Sequence, residues 1–325
     1  MTPVELSRTV LRAVRRAVDE GELSVVVPAR AVVTPPGPGG CGDYATNIAL
    51  QLARPAGRPP RQVAEILRPH LSRTEGVVEV EITGPGFLNI HLTDDRAAAA
   101  ATAVVRQVLD EGERYGYSRA MQGDVVQLLI PYEVRAEVVA DALVRIVASQ
   151  GGRAEVQHGE PAGLRPVPAP EDPAPLGADA ARWALLHPAV HDRPRITADH
   201  LVQRASNPLF RVRYAHARSR ALLRNAAALG LEPATDVPYP DALVTALAEY
   251  PRTLTAAATH RAPDRVARHL VIVADALLAL QPTVLPRGDE KPSAAHRARL
   301  ALAEAAGTVL AGGLSLLGID APDHL

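Results

Sequence analysis

The chain has 325 residues, enough for two domains with separate cores, and a net charge of −1. That balance excludes a strongly basic nucleic-acid protein, so contact with a polyanion has to come from a local patch. Hydrophobic residues make up 47% and aromatics only 3%, which favours close-packed helices of Ala, Leu and Val.

In chain order, residues 2–19 have the spacing of an amphipathic helix, with Thr2 as N-cap and Glu5 three residues on. Residues 23–33 read as strand and 34–42 as a Gly/Pro loop. That loop holds Cys41, the single cysteine, which excludes a disulfide and a cysteine-rich metal site and reads as an unreactive thiol. Asp43 is placed to cap a helix to Ala53, and a third helix follows over 61–72. Residues 76–92 alternate as a hairpin turning at Gly84-Pro85-Gly86, and Asp94 caps a helix to about Gly112. Strand 125–130, helix 133–149 and strand 153–157 form a βαβ unit. Residues 159–175 hold six prolines and read as an extended linker. The rest is helical: 178–187, 201–230, 241–260 interrupted at Pro251, 263–280, and 293–317 capped by Ser293. The fold expected is an α+β N-terminal domain (1–120), a βαβ remnant (121–158), the linker (159–175) and an all-α bundle (176–325). No run of 18 apolar residues occurs and the N-terminus is charged, so a soluble, cytoplasmic protein without a membrane partner is expected. His187 and His191 have metal-like spacing, but Pro188 and Pro194 break the helix that would align them, and no metal is expected.

The stretch 201–230 carries Arg204, Arg211, Arg213, Arg218, Arg220 and Arg224 and no acid, the composition of a stripe that follows a phosphate backbone. Net charge splits to match, at +3 for residues 176–325 and −4 for 1–175. Asn207-Pro208, then Tyr214-Ala215-His216-Ala217-Arg218, after Leu176–Trp183, resembles the DALR-type anticodon-binding domain of arginyl-tRNA synthetases. The tail Leu316-Leu317-Gly318-Ile319 with Ala321-Pro322 is similar to that family's terminus. Gly42–Ala53 and Gly84–Ile90 look like the two signature stretches of its N-terminal extra domain. The resemblance implies tRNA as partner, arginine tRNA in particular. Phe87 and Asn89 would read the D-loop, as a ring to stack on an unpaired base and an amide to bond its edge. Arg204, Asn207, Arg211, Tyr214, His216, Arg218 and Arg220 would meet the anticodon stem-loop.

The resemblance also has a gap. The family's His-x-Gly-His motif should open the helix after Pro131, yet Tyr132–Ala140 holds neither histidine nor glycine. Lys291, between Glu290 and Pro292, is the one lysine, which excludes both a Walker-type phosphate loop and the family's Lys-rich loop over ATP. Seventeen residues, 159–175, stand where most of the catalytic domain would lie. No catalytic residues, no cofactor and no ATP binding are therefore expected. Three functions remain open: a non-catalytic tRNA-binding paralogue, a protein-interaction module whose partner could be the genuine arginyl-tRNA synthetase, and an active arginine-tRNA ligase, the last disfavoured by the missing motifs.

Overall fold

The computed structural model describes residues 3–34, 36, 41–74, 76–92, 95–160, 163–235 and 242–325. They group into two compact units, Met1–Asp95 and Arg96–Leu325. The expected caps Thr2 and Asp94 lie outside the described residues.

The first unit runs α1 (Pro3–Asp19), β1 (Val33–Thr34), β2 (Tyr44–Thr46), α2 (Ile48–Ala56), α3 (Pro60–Ser72), β3 (Val77–Thr83) and β4 (Phe87–Leu92). The strands form one antiparallel sheet in the order β1-β2-β4-β3. Leu6, Val10 and Val14 of α1 bury against Leu52, Leu67, Leu71, Leu88 and Ile90, the apolar positions that the helical and alternating spacings select. The strand expected over 23–33 is reduced to Val33–Thr34; Pro28, without an N–H to donate, lies in its middle. Asp43 does not cap a helix. It precedes β2, and its carboxylate accepts from the Leu92 amide at 2.8 Å.

The second unit begins with α4 (Asp95–Glu111) and continues β5 (Val125–Ile130), α5 (Val134–Ser149), β6 (Arg153–His158), α6 (Ala178–Leu186), α7 (Pro208–Ala228), α8 (Ala242–Thr259), α9 (Asp264–Leu280) and α10 (Ala294–Leu317). Its boundary falls earlier than residue 120, because Ala101, Val105, Val108 and Tyr115 join the same core as Trp183, Leu247 and Leu310. β5 and β6 pair in parallel, from Val125 opposite Arg153 to Ile130 opposite His158, with α5 as the crossover. Pro251 was expected to interrupt the helix in which α8 instead runs unbroken. A proline there leaves the carbonyl four residues back, that of Leu247, without its helical donor. The buried Tyr115 hydroxyl takes that place at 3.1 Å. Gly307 lets α10 approach α7, since a Cβ there would stand 2.9 Å from the Cβ of Ser219. By length and composition Asp264–Thr283 and α10 are apolar enough to cross a membrane; α10 is 78% buried within the bundle and Asp264–Thr283 39%.

The segment expected to be an extended linker is tied down. The Leu164 amide donates to Leu129 O and the Val167 amide to Val190 O. The strongest tie is Arg135 of α5, which is completely buried. Its guanidinium donates to five backbone carbonyls: Leu185 (3.0 Å), Val167 (2.7 Å), Asp192 (2.7 Å), Pro188 (3.1 Å) and Ala189 (2.8 Å). Burial lowers its pKa, and the charges of Glu133, Asp192 and Asp264 oppose that shift. Arg135→Met would strip donors from all five carbonyls. We expect a loss of about 3 kcal/mol or more in chemical denaturation, a few buried groups left unsatisfied at about 1–3 kcal/mol each.

Three histidines are largely buried in the bundle. His187 stacks on Trp183 (5.1 Å between centroids), His216 holds Pro322 O, and His269 faces Ala246 O at 2.8 Å. Burial lowers all three pKa values, that of His187 to about 4 with help from the charges of Arg268, His200 and Arg211. The unfolded chain binds these protons near pH 6.5 while the folded one refuses them, so stability falls as the pH drops below 6.5. Denaturant midpoints read from Trp183, the sole tryptophan, are expected to decline steadily from pH 7.5 to 5 and to stay level above 7.5.

Candidate nucleic-acid interface

α7 begins at Pro208, not at Leu201. Asn207 caps it, its side-chain oxygen accepting from the amides of Leu209 (3.0 Å) and Phe210 (3.4 Å), and Pro208 takes the first helical position, where no N–H is needed. The Asn207 amide group donates to His200 O and Val202 O, so the residue is buried and fully used. Residues 198–201 form a separate 3-10 turn. From there α7 buries Leu209, Val212, Ala215, His216, Ser219, Leu222 and Ala226; Arg220 and Arg224 are exposed, while Arg211, Arg213 and Arg218 are half-buried.

Those arginines do not form an open stripe. Arg211 pairs with Asp275 (3.1 Å), Arg213 with Asp179 (3.4 Å) and Arg220 with Asp323 (3.1 Å). Arg218 donates to the Gln281 amide oxygen at 2.7 and 3.2 Å. Arg204 is exposed and has no ion pair among the described residues. All three ion pairs are partly solvated, and such pairs contribute only about 0–1 kcal/mol each. A phosphate can therefore replace the aspartates at small cost, though the acids weaken the local positive field.

Two of the expected contact residues, Asn207 and His216, are buried and hydrogen-bonded within the chain. His216 is buried with its Nδ1–H donating to Pro322 O at 3.0 Å, which ties the C-terminal tail to α7. Arg224 adds contacts to Asp323 O and His324 Nδ1. Tyr214 is partly exposed and stacks on Phe210 at 5.4 Å, 20° from parallel. Phe210, without Tyr214, lines a cavity of about 310 Å³ together with His200, Asn207, Arg213 and Leu325. A larger one, about 590 Å³, lies between α7, α10 and the tail, beside His216, Arg220, Thr308 and Asp320. Phe210 was not among the expected contacts, although its i, i+4 spacing from Tyr214 on a helix was the available signal. The Asp323 clamp was likewise missed, whereas Arg213 stood in the arginine-rich run but not among the expected contacts.

In the first unit, Phe87 is 40% exposed at the start of β4. Asn89, two residues on, is buried because β4 is flanked by both β2 and β3, and its amide donates to the Thr83 hydroxyl at 2.7 Å. Of that pair, the ring alone is presented to solvent. At the carboxyl ends of β5 and β6, where parallel sheets hold ligands, Tyr132 stacks on His158 (4.6 Å) and His158 pairs with Glu137. Glu133 caps α5, its carboxylate accepting from the Ala136 amide at 3.0 Å.

Comparison with known proteins agrees with this architecture. Residues 5–92 match the arginyl tRNA synthetase N terminal domain family, and residues 212–325 match the DALR anticodon binding domain family. The arginine–tRNA ligase of Frankia alni is 25% identical in an alignment of 556 positions that covers both chains entirely. That alignment is far longer than 325 residues, so a large part of the ligase has no counterpart here. The arginine–tRNA ligase of Renibacterium salmoninarum is 42% identical over 164 residues, which is 46% of this chain and 29% of that one. Thermus thermophilus arginyl-tRNA synthetase superposes with a TM-score of 0.50 at 15% identity over the whole of both chains, a likeness of fold. The chain is a relative of the arginyl-tRNA synthetases that carries their N-terminal and DALR anticodon-binding domains.

His216→Ala leaves Pro322 O without its donor. Amide exchange over residues 319–325 is expected to accelerate severalfold, at a global stability loss of about 1 kcal/mol.

Proposed function

We propose that this protein binds tRNA, arginine tRNA in particular, without aminoacylating it. The observation that carries the reading is the surface of α7 within the DALR domain. Phe210, stacked on Tyr214, lines a cavity with Arg213 and Leu325, and the same helix carries Arg211, Arg218 and Arg220. Rings accept unstacked anticodon bases, and guanidiniums take phosphates bidentately. Phe87 supplies a second stacking surface on the same chain, and two weak sites on one chain reinforce each other. The absence of chemistry is supported at α5. The amide that a phosphate would use at that helix start is occupied by the Glu133 carboxylate, with Glu137 one turn on, and both repel a triphosphate.

The test is retention of total tRNA at two salt concentrations, followed by sequencing of what is bound and by aminoacylation of the bound fraction with arginine and ATP. Enrichment of arginine tRNA with no charging is expected. The logarithm of affinity should fall with that of salt at a slope of about −3, as for roughly four phosphate contacts. Arg218→Ala and Tyr214→Ala should each weaken binding about fivefold or more, whereas Asp323→Asn and Asp275→Asn, which free Arg220 and Arg211, should strengthen it severalfold. No retention at low salt would overturn the reading, and charging of the tRNA would overturn its non-catalytic half.

One observation favours a second reading, a protein-interaction module that no longer binds RNA. Arg211, Arg213 and Arg220 are each matched by an aspartate of the same chain, and net charge is −1. Under it the two aspartate substitutions leave tRNA retention unchanged.

A further inference from the structure

A cluster in the first unit plays no part in the surfaces described above. Cys41 lies just before β2, Glu81 on β3 and His91 on β4, and one ligand atom from each lies within 4.8 Å of the others. The Cys41 thiol donates to Glu81 Oε2 at 2.8 Å. His91 Nε2 is buried and has no hydrogen-bond partner, which a native fold tolerates rarely unless something else binds the group.

The backbone holds Cys41 in this place. Asp43 brackets His91, its amide donating to Ile90 O at 3.0 Å and its carboxylate accepting from the Leu92 amide at 2.8 Å. Between Cys41 and Asp43, Gly42 has φ +80°, and a Cβ there would lie 2.9 Å from Ile90 O. Only glycine allows the chain so close to β4. Across the ladder Glu79 stands opposite His91, adding a second carboxylate. The hydrogen bond to Glu81 first, then desolvation and the charges of Glu81 and Glu79, raise the thiol pKa. Those same charges favour a cation. The other such cluster among the described residues, Glu20, Glu22 and His70, lacks a soft donor, and its His70 Nε2 is already engaged by Glu22 at 2.7 Å.

We propose that Cys41, Glu81 and His91 bind one divalent transition-metal ion, with solvent in the fourth position. Thiolate, imidazole and carboxylate together are a zinc donor set, and three protein ligands plus water complete a tetrahedron. On binding, the Cys41 S–H bond gives way to an S–metal bond and the proton leaves to solvent. The ion would staple the loop before β2 to the β3–β4 hairpin.

Cobalt(II) provides the test, because Cys41 is the sole cysteine and a thiolate-to-cobalt charge-transfer band can arise nowhere else. The full chain, stripped with chelator, is titrated with cobalt and then with zinc. The expected result is the band at one equivalent, its displacement by zinc, and affinities at least tenfold weaker in His91→Gln and Glu81→Gln, measured against a chromogenic chelator. Circular dichroism confirms that both variants are folded. A folded chain that shows no thiolate band would overturn the proposal. So would a band whose affinity is unchanged in both variants, which would indicate metal held by the thiol alone.

Discussion

A guanidinium has five N–H groups in a rigid fork, and Arg135 places all five on backbone carbonyls inside the second unit. A buried cation is costly unless every donor is satisfied, so the loop carbonyls of Val167, Leu185, Pro188, Ala189 and Asp192 must converge on one point. That convergence joins α5 to the end of α6 and to the proline-rich stretch, and it turns a segment with the composition of a linker into part of the core. The βαβ unit is thereby fixed to the bundle that begins at α6.

Binding and chemistry make different demands, and the chain meets them unequally. An anticodon surface needs rings, exposed arginines and an ordered tail. α7 has Phe210 stacked on Tyr214, arginines held by weak solvated pairs, and His216 fastening Pro322. Activation of a carboxylate by ATP needs cationic clamps on the triphosphate. The turn after β5 offers Glu133, Glu137 and a Tyr132–His158 stack instead. The aspartates facing α7 keep its field modest.

Local chemistry in the sequence predicted much of the fold. The 76–92 hairpin, the βαβ unit and the Ser293 cap follow from residues adjacent in the chain, whereas the helix expected from Leu201 starts only at Pro208. What stayed hidden depends on residues brought together by folding. α8 survives Pro251 because a tyrosine 132 residues away takes the freed carbonyl. The Arg135 hub draws on carbonyls, which leave no trace in a sequence pattern. Asn89 has the alternation of a surface reader, yet β4 is a central strand, and flanking by β2 and β3 buries it. The arginine-rich run suggested an open stripe, but its aspartate partners come from α6, α9 and the tail. Cys41 stands 40 and 50 positions before Glu81 and His91, and the three match no spacing motif.

On the proposed function, α7 and the C-terminal tail grip the anticodon arm of a tRNA. Hydroxyl-radical footprinting of arginine tRNA on the full chain at low salt tests it most directly. Protection concentrated on the anticodon stem-loop, fading as salt is raised, is expected. A tRNA left unprotected there, or protected only at its acceptor end, would contradict it.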